Sequence, residues 1–358
     1  MRGLRIAFFG SSLVSAYWNG AATYYRGLIK ELHRRGHRTT FYEPDAFGRQ
    51  AHRDIDDPEW AEVVVYEPTE DGALRALESA RGADVVVKAS GVGVLDDLLE
   101  EAVVGAGAVC VFWDVDAPAT LARLEADEDE PLRELVRCYD LVLTYGGGDP
   151  VVRRYRALGA NDCIPVYNAV DPETHHRVPA DPRFAADLAF LGNRLPDREA
   201  RVDEFFLRAA KLAPERRFLL GGAGWEEREL PANVALVGHV STNEHNAFNS
   251  TPLAVLNVLR DSMATNGWSP ATRVFEAAGA GACLVSDAWE GIDAFLEPER
   301  EVLVAETGDD VAGTIERLSP SVARRIGDAA RARLLAEHTY AHRAQQVESV
   351  LANAAVAA

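Results

Sequence analysis

The chain has 358 residues, with 56 acidic against 37 basic side chains and a formal net charge of −19. That length suits two domains of ordinary size, and an apolar fraction of 47% excludes a disordered chain. The charge argues against nucleic acid and anionic membrane as main partners, and no run approaches the ~18 apolar residues of a membrane span.

Residues 1–16 have two arginines, an apolar run and a small-residue end, as a secretory leader does. Gly10, Ser11 and Ser12 break the run, so residues 4–9 read instead as a strand buried on both faces. Asn19-Gly20 precedes a helix in which Tyr25, Leu28, Ile29 and Leu32 keep helical spacing, and Gly36 closes it. A second strand over 38–42 leads into a polar loop, about 43–60. Strands then follow at 62–66, 84–89, 108–113, 141–145 and 161–166. Helices alternate with them near 71–79, 94–104, 120–136 and 150–158. This alternation predicts a parallel sheet with right-handed crossovers.

A proline-rich, aperiodic stretch, YNAVDPETHHRVPADPRFAAD, reads as a linker between domains. A second βα series has strands at 187–191, 217–220, 234–237, 254–259, 283–286 and 302–305. Its most informative stretch is 259–295. Ser269 then Pro270 reads as an N-cap and first helical residue, with the helix over 270–280 and Gly281 as its left-handed stop. The start of such a helix offers free amides to an anion such as a diphosphate. Glu276, two turns in, is placed to accept both hydroxyls of a ribose, or else pairs with Arg273 at helical spacing. The tail from 320 is helical, with a last helix from about 340.

Three pieces of sequence together carry a resemblance. Leu256, Asn257, Arg260 and Met263 form the first. Ser269, Pro270, Arg273, Phe275, Glu276, Ala277, Ala278 and Gly281 form the second. Ser286, Asp287, Trp289 and Gly291 form the third. The combination resembles the donor half of GT-B glycosyltransferases, closest to the CgeB-like, spore-maturation branch of the group 1 enzymes. Val166-Tyr167-Asn168-Ala169-Val170-Asp171 is similar to the P-N-G-V-D segment that many retaining members carry between their lobes.

The resemblance implies an α/β fold of two Rossmann-like lobes facing a cleft. Residues 1–170 would form the acceptor side and 171–339 the donor side, with the final helix, about 340–358, packing back on the first lobe. It implies transfer of a sugar from a nucleoside-diphosphate donor to an unidentified acceptor. The protein is then cytoplasmic, a monomer or homodimer, with no metal or redox cofactor. Glu276 would hold the donor ribose. Arg194, Arg198 and Arg260 would serve the diphosphate, whose charge grows as the glycosidic bond breaks, and Arg273 would belong to the donor site. His239, Ser269 and Asp287 would line the donor site, and Asn19 and Gly20 would approach phosphates and acceptor. The second glutamate of the E-x7-E pattern is missing, since Trp268 stands eight positions before Glu276.

Asp114-Val115-Asp116 reads as D-x-D, the metal motif of the other major glycosyltransferase fold. Here it ends a strand, where a carboxylate orients or deprotonates an acceptor hydroxyl, or is structural. Cys110, Cys138, Cys163 and Cys283 show neither C-x-x-C nor zinc spacing and read as reduced thiols. A nicotinamide oxidoreductase is disfavoured because no G-x-G-x-x-G follows the first strand. A catalytically inactive scaffold of the same fold is the alternative that the incomplete E-x7-E pattern leaves open.

Overall fold

The computed structural model of the chain describes residues 3–17 and 19–357. It divides into two units, Met1–Tyr167 with Tyr340–Ala358, and Asn168–Thr339.

In the first unit the strands are β1 (Arg5–Phe9), β2 (Arg38–Pro44), β3 (Glu62–Tyr66), β4 (Val85–Ala89), β5 (Val109–Asp114), β6 (Leu141–Thr144) and β7 (Cys163–Pro165). They form one parallel sheet in the order β3-β2-β1-β4-β5-β6-β7. Every residue of β4 and β5 is buried, while edge strand β3 is largely half-exposed. Continuous apolar runs mark strands covered on both faces. The covering helices are α1 (Ala22–Arg34), α2 (Glu70–Ala80), α3 (Asp96–Ala102), α4 (Ala117–Ala126), α5 (Leu132–Leu135) and α6 (Gly148–Ala157). Phe9, Val86, Phe112, Leu121, Tyr139 and Tyr155 belong to one core cluster.

The second unit repeats the plan. Its strands are β8 (Leu188–Leu191), β9 (Phe218–Gly221), β10 (Val234–Gly238), β11 (Ala254–Asn257), β12 (Leu284–Asp287) and β13 (Leu303–Ala305), in the parallel order β10-β9-β8-β11-β12-β13. Its helices are α7 (Pro196–Val202), α8 (Ala209–Leu212), α9 (His245–Ser250), α10 (Asp261–Asn266), α11 (Thr272–Gly279), α12 (Gly308–Arg317) and α13 (Pro320–Glu337). A π-helical segment, Asp203–Arg208, joins α7 to α8 and keeps Phe205, Phe206 and Leu207 inside. A capping box of Thr307 and Asp310 starts α12, and Ser319 with Pro320 starts α13. The last helix, α14 (Tyr340–Ala357), belongs to the first unit. It lies so close to α1 that a Cβ on Gly27 would fall 2.2 Å from the Tyr340 ring.

Three expectations are corrected. The helix expected over 120–136 is broken, because Asp127 turns the chain by accepting from the Asp129 amide and Pro131 interrupts the amide ladder. The helix expected over 94–104 begins only at Asp96, whose carboxylate accepts the Val92 and Gly93 amides. Ser269 is not an N-cap. Ala271 is extended at that position with no side-chain cap, so α11 starts at Thr272, and the buried Ser269 hydroxyl has no hydrogen-bond partner.

Candidate functional site

In the second unit the strand order reverses between β8 and β11. Loops leaving neighbouring strands in opposite directions open a crevice there, the usual ligand position in such sheets. The loop after β8 carries Arg194, and Arg198 follows on α7. Arg260 ends the loop after β11, and Arg273 is the second residue of α11.

These arginines are not equivalent. Arg194 donates to Glu199 at 2.8 Å, and Arg228 donates to the same oxygen at 2.6 Å, so its charge is balanced. Arg260 is offset by Asp197 at 2.5 Å. Arg273 is held by neutral groups: its Nε donates to the Leu191 carbonyl at 2.8 Å and its Nη1 to Asn257 at 3.2 Å, with the guanidinium 4.7 Å over the Phe190 ring. Arg198 shares the space. A Cβ on Gly192 would meet Arg198 Nη1 at 2.7 Å and Arg273 Nη2 at 2.9 Å. The Arg198 Nε is buried without a partner. Burial and the neighbouring Arg198 push Arg273 down to about 9, and burial with the nearby Arg260 lowers Arg198. Two desolvated cations thus repel each other over a glycine, near the start of α11, itself a positive end.

Glu276 lies one turn beyond Arg273 on the same helix. Its carboxylate faces two imidazoles, with His175 Nε2 at 3.7 Å and His245 Nδ1 at 4.0 Å. His175 is buried, which lowers its affinity for a proton despite Glu276. The His245 Nδ1 is buried without a hydrogen-bond partner. Asp287 ends β12 fully buried. It accepts from Arg201 at 2.6 Å and from the Leu259 amide at 3.0 Å, which pins the loop that presents Arg260. Burial raises its pKa against these donors. Its oxygens are spent, so it shapes the site rather than facing a ligand. His239 is exposed just after β10. Trp268 sits at positive φ, with its ring on the Cα of Gly291 and its amide bonded to the Glu290 carbonyl at 2.7 Å.

In the first unit Asp114 ends β5 with no exposure. It accepts from Ser90 at 2.8 Å, Thr120 at 2.9 Å, the Asp116 amide at 3.0 Å and the Tyr155 hydroxyl. Burial raises its pKa against these bonds. With both oxygens occupied it fixes the β5–α4 turn. Asp116 is half-buried at the start of α4. Neither belongs to a cluster of three metal-ligand side chains among the described residues; the one such cluster there is Asp97, Glu100 and Glu130, bridged by Arg123. Asn19 is a staple, donating to the Ser12 and Ser15 carbonyls at 2.8 and 3.0 Å and accepting from Ser11. Gly20 is exposed, and a side chain there would meet nothing within 4 Å.

A family model described as "Glycosyl transferase-like" matches residues 198–349. No curated protein matches the sequence. Among solved structures, the chain is similar to sucrose-phosphate synthase from Thermosynechococcus elongatus, with TM-score 0.72 at 14% identity over 99% of this chain and 100% of that one. It is also similar to Anabaena HepE in complex with UDP and glucose, with TM-score 0.67 at 15% identity over 98% and 100% of the two chains. An alpha-glucosyltransferase in complex with UDP and a 13-mer DNA gives TM-score 0.71 at 12% identity over 98% and 100%. The chain has the GT-B fold.

Within this GT-B chain, sequence reasoning missed three contributors to the second unit's site, while Asn257 stands in the first motif piece without a role. Gly192 lies just past the end of β8, where only the arginines after it drew attention. His175 comes from the aperiodic linker and His245 from a six-residue helix. No spacing rule connects either histidine to Glu276, because only the fold brings them together.

Proposed function

We propose that this protein is a glycosyltransferase that moves a sugar from a nucleoside-diphosphate donor, bound at the β8/β11 switch point, to an acceptor hydroxyl. The observation that carries the reading is the pair Arg198 and Arg273, two desolvated guanidiniums with no carboxylate at ion-pair distance, over Gly192. A diphosphate supplies the missing counter-charge, and the same cations stabilise it as the leaving group. Arg260 and Arg194 extend the positive rim. Glu276, one turn along α11, accepts the ribose hydroxyls, with His175 and His245 at 3.7 and 4.0 Å from its carboxylate. The guanidiniums do the neutralising that a divalent ion does elsewhere, so the scheme calls for no metal. Asp116 is the acceptor-side carboxylate of this reading, Asp114 being occupied.

The CgeB-like motifs are the ground for placing the chain in that branch of the group 1 enzymes. Three buried cysteines, all free, fit a reducing cytoplasm. Among the described residues, no helix is long and apolar enough to cross a membrane. HepE is known in complex with UDP-glucose, which puts uridine first among the bases to try.

The test is thermal unfolding with UDP, GDP, ADP, TDP, CMP and NAD. A ligand at ~100 times its dissociation constant stabilises by about 2.7 kcal/mol. One nucleoside diphosphate should stabilise the protein, and Glu276→Ala should abolish most of that effect. Stabilisation by NAD alone, or by none of them, would sink the reading. Turnover of the donor separates an enzyme from an inactive scaffold.

A further inference from the structure

The first unit has its own switch point, between β1 and β4. One side chain spans it. Arg49, in the loop after β2, donates through Nη1 to the Ser11 carbonyl after β1 at 3.1 Å and to the Val92 carbonyl after β4 at 3.4 Å. Arg49 is only 7% exposed, and its Nε is buried without a partner. No carboxylate lies within ion-pair distance of it among the described residues. Glu43, at the end of β2, spends its oxygens on the Ser12 hydroxyl, the Leu13 amide and the Gln50 amide. Glu43 is the carboxylate that acts on Arg49, from beyond ion-pair distance. A buried guanidinium with a free Nε and no carboxylate bonded to it has a hydrogen bond left for an anion from outside.

Aromatic rings lie beside it. Among the described residues the exposed large aromatics are Phe47 and Tyr17, at 56% and 42%. The Phe47 ring sits 5.0 Å from the Arg49 guanidinium. Its φ of 56° is in the left-handed region, a strained conformation for a phenylalanine. Tyr17 stacks on His52 at 4.1 Å, and the His52 ring contacts the Gly48 carbonyl at 2.8 Å, one residue from both Phe47 and Arg49. The Phe47 ring beside the buried cation, with the Tyr17–His52 stack on the same loop, suits a small ring that bears an anion, since C–H faces pack on aromatics while the oxyanion meets the guanidinium.

We propose that the loops at the β1/β4 switch point bind an acceptor sugar carrying an oxyanion, carboxylate or phosphate, which Arg49 holds and the Phe47 and Tyr17 rings flank. The acceptor role rests on the glycosyltransferase reading above; the anion site does not.

The experiment is calorimetric titration of the full chain with glucose, glucuronate, glucose 6-phosphate and inorganic phosphate, each with and without UDP. Both charged sugars, or one of them, should bind at least tenfold more tightly than glucose, and the stronger of the two identifies the oxyanion. Arg49→Gln should weaken that sugar roughly tenfold to a hundredfold, the factor for a lost hydrogen bond to a charged group. Phe47→Ala, at an exposed position where the fold survives, should weaken it roughly threefold to tenfold and leave inorganic phosphate unchanged. UDP affinity should be the same in all variants. Charged sugars that bind no better than glucose, or that bind Arg49→Gln or Phe47→Ala as well as the parent, would overturn the proposal. UDP binding without charged-sugar binding defeats this inference alone. Charged-sugar binding without any nucleotide binding defeats the donor reading and leaves the anion site standing.

Discussion

Gly192→Ala separates the anion pocket from the fold that carries it. The added Cβ would stand 2.7 Å from Arg198 Nη1, 2.9 Å from Arg273 Nη2 and 3.0 Å from Phe190 Cζ. Ordinary contacts begin near ~3.5 Å, so something must move by about 0.8 Å. Arg273 is pinned by the Leu191 carbonyl, by Asn257 and by its seat on Phe190. Arg198 is therefore the group that yields, and its guanidinium swings out of the pocket. The stability cost should be small, about 1 kcal/mol, because the atoms displaced are ends of flexible side chains. That corresponds to a fall of about 2–4 °C in Tm. A diphosphate would lose one charged contact, about 1.5–3 kcal/mol, or roughly tenfold to a hundredfold in Kd. Calorimetric titration with UDP, with Tm measured in parallel, checks both numbers. Unchanged UDP affinity would refute the placement of the diphosphate. A stability loss of several kcal/mol would refute the claim that Gly192 serves the pocket rather than the packing.

Three further outcomes follow from buried groups. Asp287→Ala leaves Arg201 without its carboxylate and frees the Leu259 amide, so urea unfolding should show a loss of about 3–5 kcal/mol. Tyr340→Ala empties the space against Gly27 and should cost about 3–5 kcal/mol by the same measurement. Burial pushes Glu100 up to about 7 from 4.5. The folded state thus holds its proton over a range where the unfolded chain releases it, so this group lowers stability as pH rises from 4.5 to 7. The full effect is about 3 kcal/mol at most. Glu100→Gln should raise the unfolding midpoint at pH 8 and leave it unchanged at pH 4; an equal shift at both would show that the charge is not the cause.

The strands were legible because a parallel sheet covered on both faces needs unbroken apolar runs, and VVVKA and VCVFWD admit few other readings. Helix ends were less legible. A cap depends on one backbone angle, and the residue extended before α11 is Ala271, two beyond Ser269. Arg198, Arg260, Arg273 and Glu276 could be gathered from the sequence because each follows a strand end or rides one helix. Arg49 could not. It lies in a polar stretch with no period, and nothing in composition shows that a loop arginine is buried against two carbonyls. His175 and His245 were hidden for the same reason.

Strand-end carboxylates do the same structural work in both units. Asp114 ends β5 and Asp287 ends β12, and each strand lies second from its sheet's switch point, past β4 and β11 respectively. Both are fully buried, and both reach back across the switch-side loop: Asp114 to Ser90 after β4, Asp287 to the Leu259 amide after β11. Each also ties down a helix, through Tyr155 on α6 and Arg201 on α7. A crevice formed by diverging loops has few backbone partners of its own, and a buried acceptor supplies them at the point where the loops would otherwise splay. The position invites an acid for structural reasons before any chemistry is considered. The carboxylates beside each switch point hold the loops, while the cations left unpaired, Arg198 and Arg273 in one unit and Arg49 in the other, are the groups with bonds still to make.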